Sequence, residues 1–221
     1  MAQPVYVFDA YGTLFNVHAA IGRHRDACGP DADRLSDLWR TKQLEYTWTL
    51  TLADRYEDFW TLTERALDYA LARFPAVDRG VGSRLLDAYF SLDAFPDALP
   101  ALQTLKERGL RTAILSNGSP KMLAAAVTAA RMDGVLDRVL SVDTIRLYKP
   151  RAEVYALVTK AFSVAPGDVI FVSSNRWDIM GAVAFGFRGL WLNRAGLPDE
   201  YPDQAPHRII TDITMLSSAT A

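Results

Sequence analysis

The chain has a single cysteine, Cys28, so neither an internal disulfide nor a cysteine-ligated zinc site can be built within it. It has no run of 18 uncharged apolar residues, the length a membrane-spanning helix needs, and a membrane role is not expected. It has no basic stripe interleaved with aromatics, and 24 Lys and Arg stand against 26 Asp and Glu for a net charge of -2, so nucleic acid is not an expected partner. The opening residues, MAQPVYVFDA, lack the basic region and long apolar stretch of a secretory signal, and the expected location is cytoplasmic. There is no internal repeat, low-complexity tract or long charge block. What is present is apolar content: half of the 221 residues are hydrophobic, enough for one sizeable core or a core with a smaller inserted lobe.

Two styles of patterning divide the chain. From about residue 16 to 91 only helical signals occur: DADRLSDLWRTKQLEYTWTL places Leu35, Leu38 and Trp39 at helical spacing, and RYEDFWTLTERALDYALARF does the same with Phe59, Thr63, Ala66, Ala70 and Phe74. Beyond residue 91, short β-branched or apolar runs alternate with amphipathic helices. LRTAIL precedes PKMLAAAVTAARM, RVLSV precedes AEVYALVTKAF, DVIFV precedes WDIMGAVAFG, and GLWL follows. Such alternation predicts a parallel sheet. The first run, VYVF, is as apolar as a strand covered on both faces and is expected to join that sheet, which makes the helical lobe an insertion after it.

The polar residues that end the strands of a parallel sheet share one edge, and in open α/β sheets ligands bind there. Asp9 follows VYVF, Ser116 and Asn117 follow AIL, Lys149 stands beyond SVDTIRLY, and Ser173, Asn175 and Asp178 follow VIFV. Serine and asparagine after a strand also cap the next helix, so Ser116 and Ser173 carry that second reading. Asp9 differs, because it ends a four-residue apolar run and precedes AYGTLF, which has no helical pattern. Lys149 precedes Pro150, which can open the next helix and hold the lysine outside it; a solvated surface lysine is the competing reading. In LWRTKQLEYTW, Leu44 and Trp48 fall four and eight places after Arg40, so one helical face carries a guanidinium among apolar residues. Either its stem covers apolar surface while its head reaches water, or it awaits an anion. Trp39, Trp48 and Trp60 are expected to pack within the helical lobe.

FDAYGTLF, LWRTKQLEYTW, LSNGSPKML, YKPRAEVY and VSSNRWD, in this order, resemble the L-2-haloacid dehalogenases of the haloacid dehalogenase superfamily, across essentially the whole chain. The resemblance implies an α/β fold: a Rossmann-like parallel sheet core, residues 1–15 and 92–221, with an inserted helical cap subdomain, residues 16–91. Superfamily phosphatases begin D-x-D, the second aspartate protonating the departing alkoxide; here that position is Tyr11. A halide leaves as a stable anion and needs only solvation, so the loss of that acid is compatible with dehalogenation. Where phosphatases place magnesium-binding carboxylates, this chain has Ser173, Ser174 and Asn175 before a single Asp178, and neither a metal nor another cofactor is expected.

By resemblance, Asp9 attacks C2 of an (S)-2-haloalkanoate, forming an ester and inverting the carbon, so that an (R)-2-hydroxy acid is the product. Thr13 orients the nucleophile. Ser116, Lys149 and the backbone N–H groups near Tyr11 and Asn117 hold the substrate carboxylate, and the charge of Lys149 favours the carboxylate form of Asp9. Arg40 accepts the halide with Asn117 and the edge of Phe59, and Tyr11, Leu44, Phe59 and Trp177 surround the alkyl group. Asp178 positions or activates the water that hydrolyses the ester, supported by Ser173, Asn175 and Tyr155. Thr41 departs from the glutamine common beside this arginine, a change that could alter halide or chain-length preference. His18, His24 and His207 match no catalytic position. A small-molecule 2-haloalkanoate is the expected partner, and a homodimer the assembly that similar enzymes suggest. The competing functions are a Mg²⁺-dependent phosphatase of the same superfamily, a dehalogenase that also cleaves fluoroacetate, and a non-enzymatic protein on an inherited fold.

Overall fold

In the computed structural model, which describes residues 3–218, VYVF forms strand β1 (Val5–Phe8) with all four side chains buried, as a strand covered on both faces requires. The other strands are β2 (Arg111–Ser116), β3 (Arg138–Ser141), β4 (Val169–Ser173), β5 (Arg188–Leu192) and β6 (Arg208–Ile210). They form one sheet in the order β3-β2-β1-β4-β5-β6, every pair parallel. β1 is therefore central, with Val5 to Phe8 registered against Arg111 to Ile114 on one side and Val169 to Val172 on the other. β6 has no counterpart among the expected strands: RII is only three residues long and pairs on one side, with β5. So short a run carries no periodicity to read.

Five α-helices lie between β1 and residue 91: α1 (Ala19–Arg23), α2 (Arg25–Cys28), α3 (Ala32–Leu52), α4 (Phe59–Arg73) and α5 (Gly82–Phe90). The two long ones pack together. The Asp58 carboxylate caps α4 by accepting the N–H groups of Trp60 and Thr61, and the buried Trp39 donates its indole N–H to the Thr63 carbonyl at 2.9 Å. Cys28 is buried at the end of α2, and burial pushes its thiol pKa up, which suits an inert packing residue. Helices α6 (Ala98–Glu107), α7 (Pro120–Ala129), α8 (Ala152–Phe162) and α9 (Arg176–Phe185) are the remaining α-helices among the described residues. Pro150 does not open α8; the helix starts at Ala152 with Arg151 at its N-cap, and Pro150 belongs to the turn that presents Lys149. No helix among the described residues is long and apolar enough to cross a membrane.

Candidate active site

The carboxyl edge of the three central strands builds the site. Asp9 leaves β1 with its backbone N–H still bonded to the Val172 carbonyl of β4 at 2.9 Å, so its Cα is held as rigidly as the sheet. The chain then turns sharply. Gly12 has φ +93°, a conformation only glycine adopts at no steric cost, and this turn brings Thr13 back to donate to Asp9 Oδ2 at 3.1 Å. Asn175 Nδ2 donates to the same oxygen at 2.9 Å. Asn175 occupies the N-cap position of α9, yet its side chain makes no capping bond; it is turned onto Asp9 instead. The other oxygen, Oδ1, accepts from Lys149 Nζ at 3.0 Å.

Lys149 is 1% exposed, which overturns the surface-lysine reading. Its Nζ also donates to Asp178 Oδ2 at 2.8 Å and sits 5.0 Å from the centre of the Phe171 ring. Burial works against the ammonium charge, but Asp178 and Asp9 together outweigh it and raise the Lys149 pKa. Asp178 is wholly buried and receives a second donor, the Tyr155 hydroxyl, at 2.8 Å on Oδ1. Burial, opposed by Lys149 and reinforced by Asp9, pushes its carboxyl up to about 6. Burial and the adjacent Asp178 charge raise the Tyr155 phenol well above its ordinary value, so it serves as a neutral donor.

The serines hold backbone. Ser116 Oγ accepts the Gly118 N–H at 3.0 Å and Ser173 Oγ accepts the Asn175 N–H at 3.1 Å, the local turns that serine after a strand favours. Each keeps an O–H hydrogen with which to donate. Asn117 Oδ1 accepts the backbone N–H of Lys149 at 3.2 Å, tying the third motif to the fourth. A methyl group on Gly118 would stand 2.6 Å from the Tyr11 ring, so the glycine of SNG is what lets Tyr11 lie against this loop.

From the helical side, Arg40 Nη2 donates to the Tyr11 carbonyl at 3.1 Å. The Tyr11 ring packs on Phe59 with centroids 5.8 Å apart and lies nearly parallel to Tyr89 at 5.9 Å. Burial, with Tyr89 adding to it, lifts the Tyr11 phenol well above its ordinary value, so no acid comparable to a second aspartate stands there. Arg40 and Leu44 line a cleft of about 390 Å³ together with Gly12, Ser174 and Asn175. Among the described residues, no group of three or more His, Cys, Asp or Glu side chains is placed to hold a metal ion; the two carboxylates of the site are bridged by an ammonium.

A family model for haloacid dehalogenase-like hydrolases matches residues 4–186. The chain belongs to this family. It is 50% identical over 203 residues to (S)-2-haloacid dehalogenase 1 of Pseudomonas sp. (strain CBS-3), spanning 91% of this chain and 89% of that one. A crystal structure of a dehalogenase superposes with a TM-score of 0.96 at 44% identity, over 100% of this chain and 98% of the other. The L-2-haloacid dehalogenase of Xanthobacter autotrophicus with chloropropionic acid covalently bound superposes with a TM-score of 0.88 at 34% identity, over the whole of both chains. The resemblance read from the five motifs and the Rossmann-like fold it implied both hold.

In this dehalogenase-like hydrolase, Asp9, Thr13, Lys149, Asn175, Asp178 and Tyr155 form one connected network. Ser116, Asn117 and Ser173 border it through backbone, and Arg40, Leu44 and Phe59 approach from α3 and α4, Arg40 and Phe59 against Tyr11. Trp48 is a correction: it is half-buried and meets the half-buried Trp177 edge-on at 5.4 Å, bridging to α9 rather than packing inside the helical lobe. Trp39 and Trp60 pack within it, Trp60 against Phe90 at 5.1 Å. Thr41 is on an exposed face of α3, lining a surface cleft with Arg34 and Tyr69, so its side chain does not meet Asp9. Ser174 was not expected as a site residue. Its hydroxyl donates to the Gly12 carbonyl at 2.7 Å and its N–H to Thr13 Oγ1 at 2.9 Å, locking the turn after Asp9 to β4. The pair of serines closing VIFV was its only trace in the sequence.

Proposed function

We propose that the protein is an (S)-2-haloacid dehalogenase, converting short-chain (S)-2-haloalkanoates to (R)-2-hydroxy acids with inversion and without a metal. The observation that carries this reading is Asp9. A strand-end carboxylate is held by donors on both oxygens, with a partly buried guanidinium on the cap side and no second aspartate at position 11. Asp9 attacks C2 from the side opposite the halogen, the carbon–halogen bond breaks with its electron pair, and the halide departs toward Arg40. Ser116, Lys149 and the backbone N–H groups of Tyr11 and Asn117 hold the substrate carboxylate. Tyr11, Leu44, Phe59 and Trp177 exclude water around the alkyl group, so a weak nucleophile is desolvated and aligned. Residues 16–91 act as the cap that closes this space. Water then attacks the carbonyl carbon of the Asp9 ester as Asp178 takes its proton; the acyl carbon–oxygen bond breaks and the departing alkoxide takes that proton to leave as the (R)-2-hydroxy acid, restoring both carboxylates, with Ser173, Asn175 and Tyr155 fixing the geometry.

The test is halide release from each enantiomer of 2-chloropropionate in EDTA, combined with a single turnover in ¹⁸O-water. Release from the S form alone, with label entering Asp9 before it enters product, is the expected result. Label in the first-turnover product excludes the ester route, and inertness toward both enantiomers with phosphate release from small phosphomonoesters restores the phosphatase reading.

Asp178 also sets a pH dependence. It must be ionised to accept the water's proton, and its carboxyl titrates at about 6, so kcat falls as pH drops, about tenfold per unit once the acid form dominates. In the ester Asp9 carries no charge, one influence raising Asp178 is gone, and the limb in kcat lies at or below that value. A kcat that stays constant from about pH 7 to about pH 4, below the ordinary carboxylate range, removes Asp178 from proton transfer.

The assembly proposed is a cytoplasmic homodimer. Leu52, 85% exposed, and Tyr69, 40% exposed, give the outer cap helices apolar surface for a second copy, and sedimentation velocity reads the mass directly.

A further inference from the structure

We propose that Gln43 is a positioning residue for halide displacement: it aims the Arg40 guanidinium while leaving its charge uncompensated. The inference rests on the reading of Arg40 as the halide acceptor and goes beyond it in naming what holds that acceptor. Gln43 lies three residues after Arg40 on α3, on the same helical face, and is completely buried. A buried amide must have its hydrogen bonds met, and here each end is spoken for. Nε2 donates to Thr63 Oγ1 at 2.7 Å, and the Thr63 hydroxyl spends its own hydrogen on the Phe59 carbonyl at 2.7 Å. Oε1 accepts from the Tyr89 hydroxyl at 3.1 Å and from Arg40 Nη1 at 3.3 Å.

These partners admit only one orientation of the amide. Flipped, its NH₂ would face the guanidinium, which can only donate, while its oxygen faced a threonine oxygen whose hydrogen is held by the Phe59 carbonyl. The cap therefore presents one fixed acceptor to Arg40. That acceptor is neutral, as is the Tyr11 carbonyl on the other side of the guanidinium. A carboxylate in either place would hold the arginine as firmly and cancel the charge a departing halide needs. A neutral amide supplies direction without neutralisation. Tyr89 completes the arrangement: its hydroxyl pins Oε1 while its ring lies flat on Tyr11, so the same residue packs against the nucleophile's loop and the acceptor's clamp.

The first chemical step depends on halide stabilisation and the second does not, so the test separates them. Wild type, Gln43→Leu, Gln43→Glu and Tyr89→Phe are compared for single-turnover ester formation with (S)-2-chloro- and (S)-2-bromopropionate, for ester hydrolysis, and for inhibition by bromide. Gln43→Leu is expected to slow ester formation about tenfold to a hundredfold, more with chloride than with the better leaving group bromide. Hydrolysis should stay within about twofold. Gln43→Glu, which keeps the shape but pairs the arginine, should weaken bromide inhibition as well. Tyr89→Phe removes only the hydroxyl and should change the chloride-to-bromide ratio in the same direction, which keeps the test decisive if Gln43→Leu does not fold. Variants in which both steps fall together at an unchanged chloride-to-bromide ratio would reduce Gln43 to cap packing and overturn the proposal. A wild-type protein that releases no halide overturns the function itself, so the two failures are distinguishable.

Discussion

Lys149→Met is expected to abolish turnover, by on the order of 10³-fold or more, and to cost about 3–5 kcal/mol of stability near neutral pH. Methionine fills a similar volume, so the loss is electrostatic. Two buried carboxylates, Asp9 and Asp178, now share one ammonium; without it they face each other with only neutral donors left. The stability loss has a definite pH dependence. Burial already raises the Asp178 pKa and Lys149 is the leading influence holding it down, so in the variant the value rises further. Its folded pKa then lies far above the unfolded value, the folded state binds the extra proton, and stability decreases as pH rises through that range. Urea unfolding should therefore separate the variant from wild type most at alkaline pH and less at mildly acidic pH. A variant as stable as wild type at about pH 8 would mean that the pair is relieved by some route other than Lys149.

Asp9→Asn is expected to remove activity on the order of 10⁴-fold or more, because the group proposed to bond to carbon is gone, while leaving the fold intact to within about 1 kcal/mol. The contrast with Lys149→Met follows from charge. Asp9, Asp178 and Lys149 together carry one net negative charge in a buried site. Neutralising Asp9 brings that sum to zero, and the ammonium keeps Asp178 as a partner at 2.8 Å. Because Asp9 is one of the influences raising Asp178, the Asp178 carboxyl moves down in this variant, which ¹³C chemical shifts of that carboxyl would show. An Asp9→Asn protein with residual single-turnover halide release would assign the attack on C2 to water and not to Asp9.

The placement of these groups in the fold explains what a sequence reading can reach. Asp9, Ser116 and Ser173 each end or follow a buried strand, and a parallel sheet with β1 at its centre brings such positions to one edge whatever the intervening chain does. Their meeting was legible because strand ends carry a local signal: an apolar run stopped by a polar residue. Lys149 carried a weaker one. Nothing local distinguishes it from a solvated lysine, and its burial comes from Asp9, Asp178 and Phe171, which lie 140, 29 and 22 residues away in the chain.

Gln43, Tyr89 and Ser174 were the quietest. Gln43 reads as one more polar residue on a long helix until α4 and α5 close over it with Thr63 and Tyr89. Trp48 fits the apolar stripe of α3 equally well whether it turns into the helical lobe or across to Trp177, and only the seating of α3 beside α9 chose the second. Local residues suffice for the alternation of strands and helices, the helical insertion after β1, and the carboxylate at the central strand's end, because backbone geometry and burial impose periodicities that local residues must obey. Tertiary structure alone decided the protonation balance of Lys149 and Asp178, the orientation of the Gln43 amide and the side to which Trp48 turns. Electrostatic coupling and hydrogen-bond direction depend on distances across the fold, and a periodicity along the chain does not encode them.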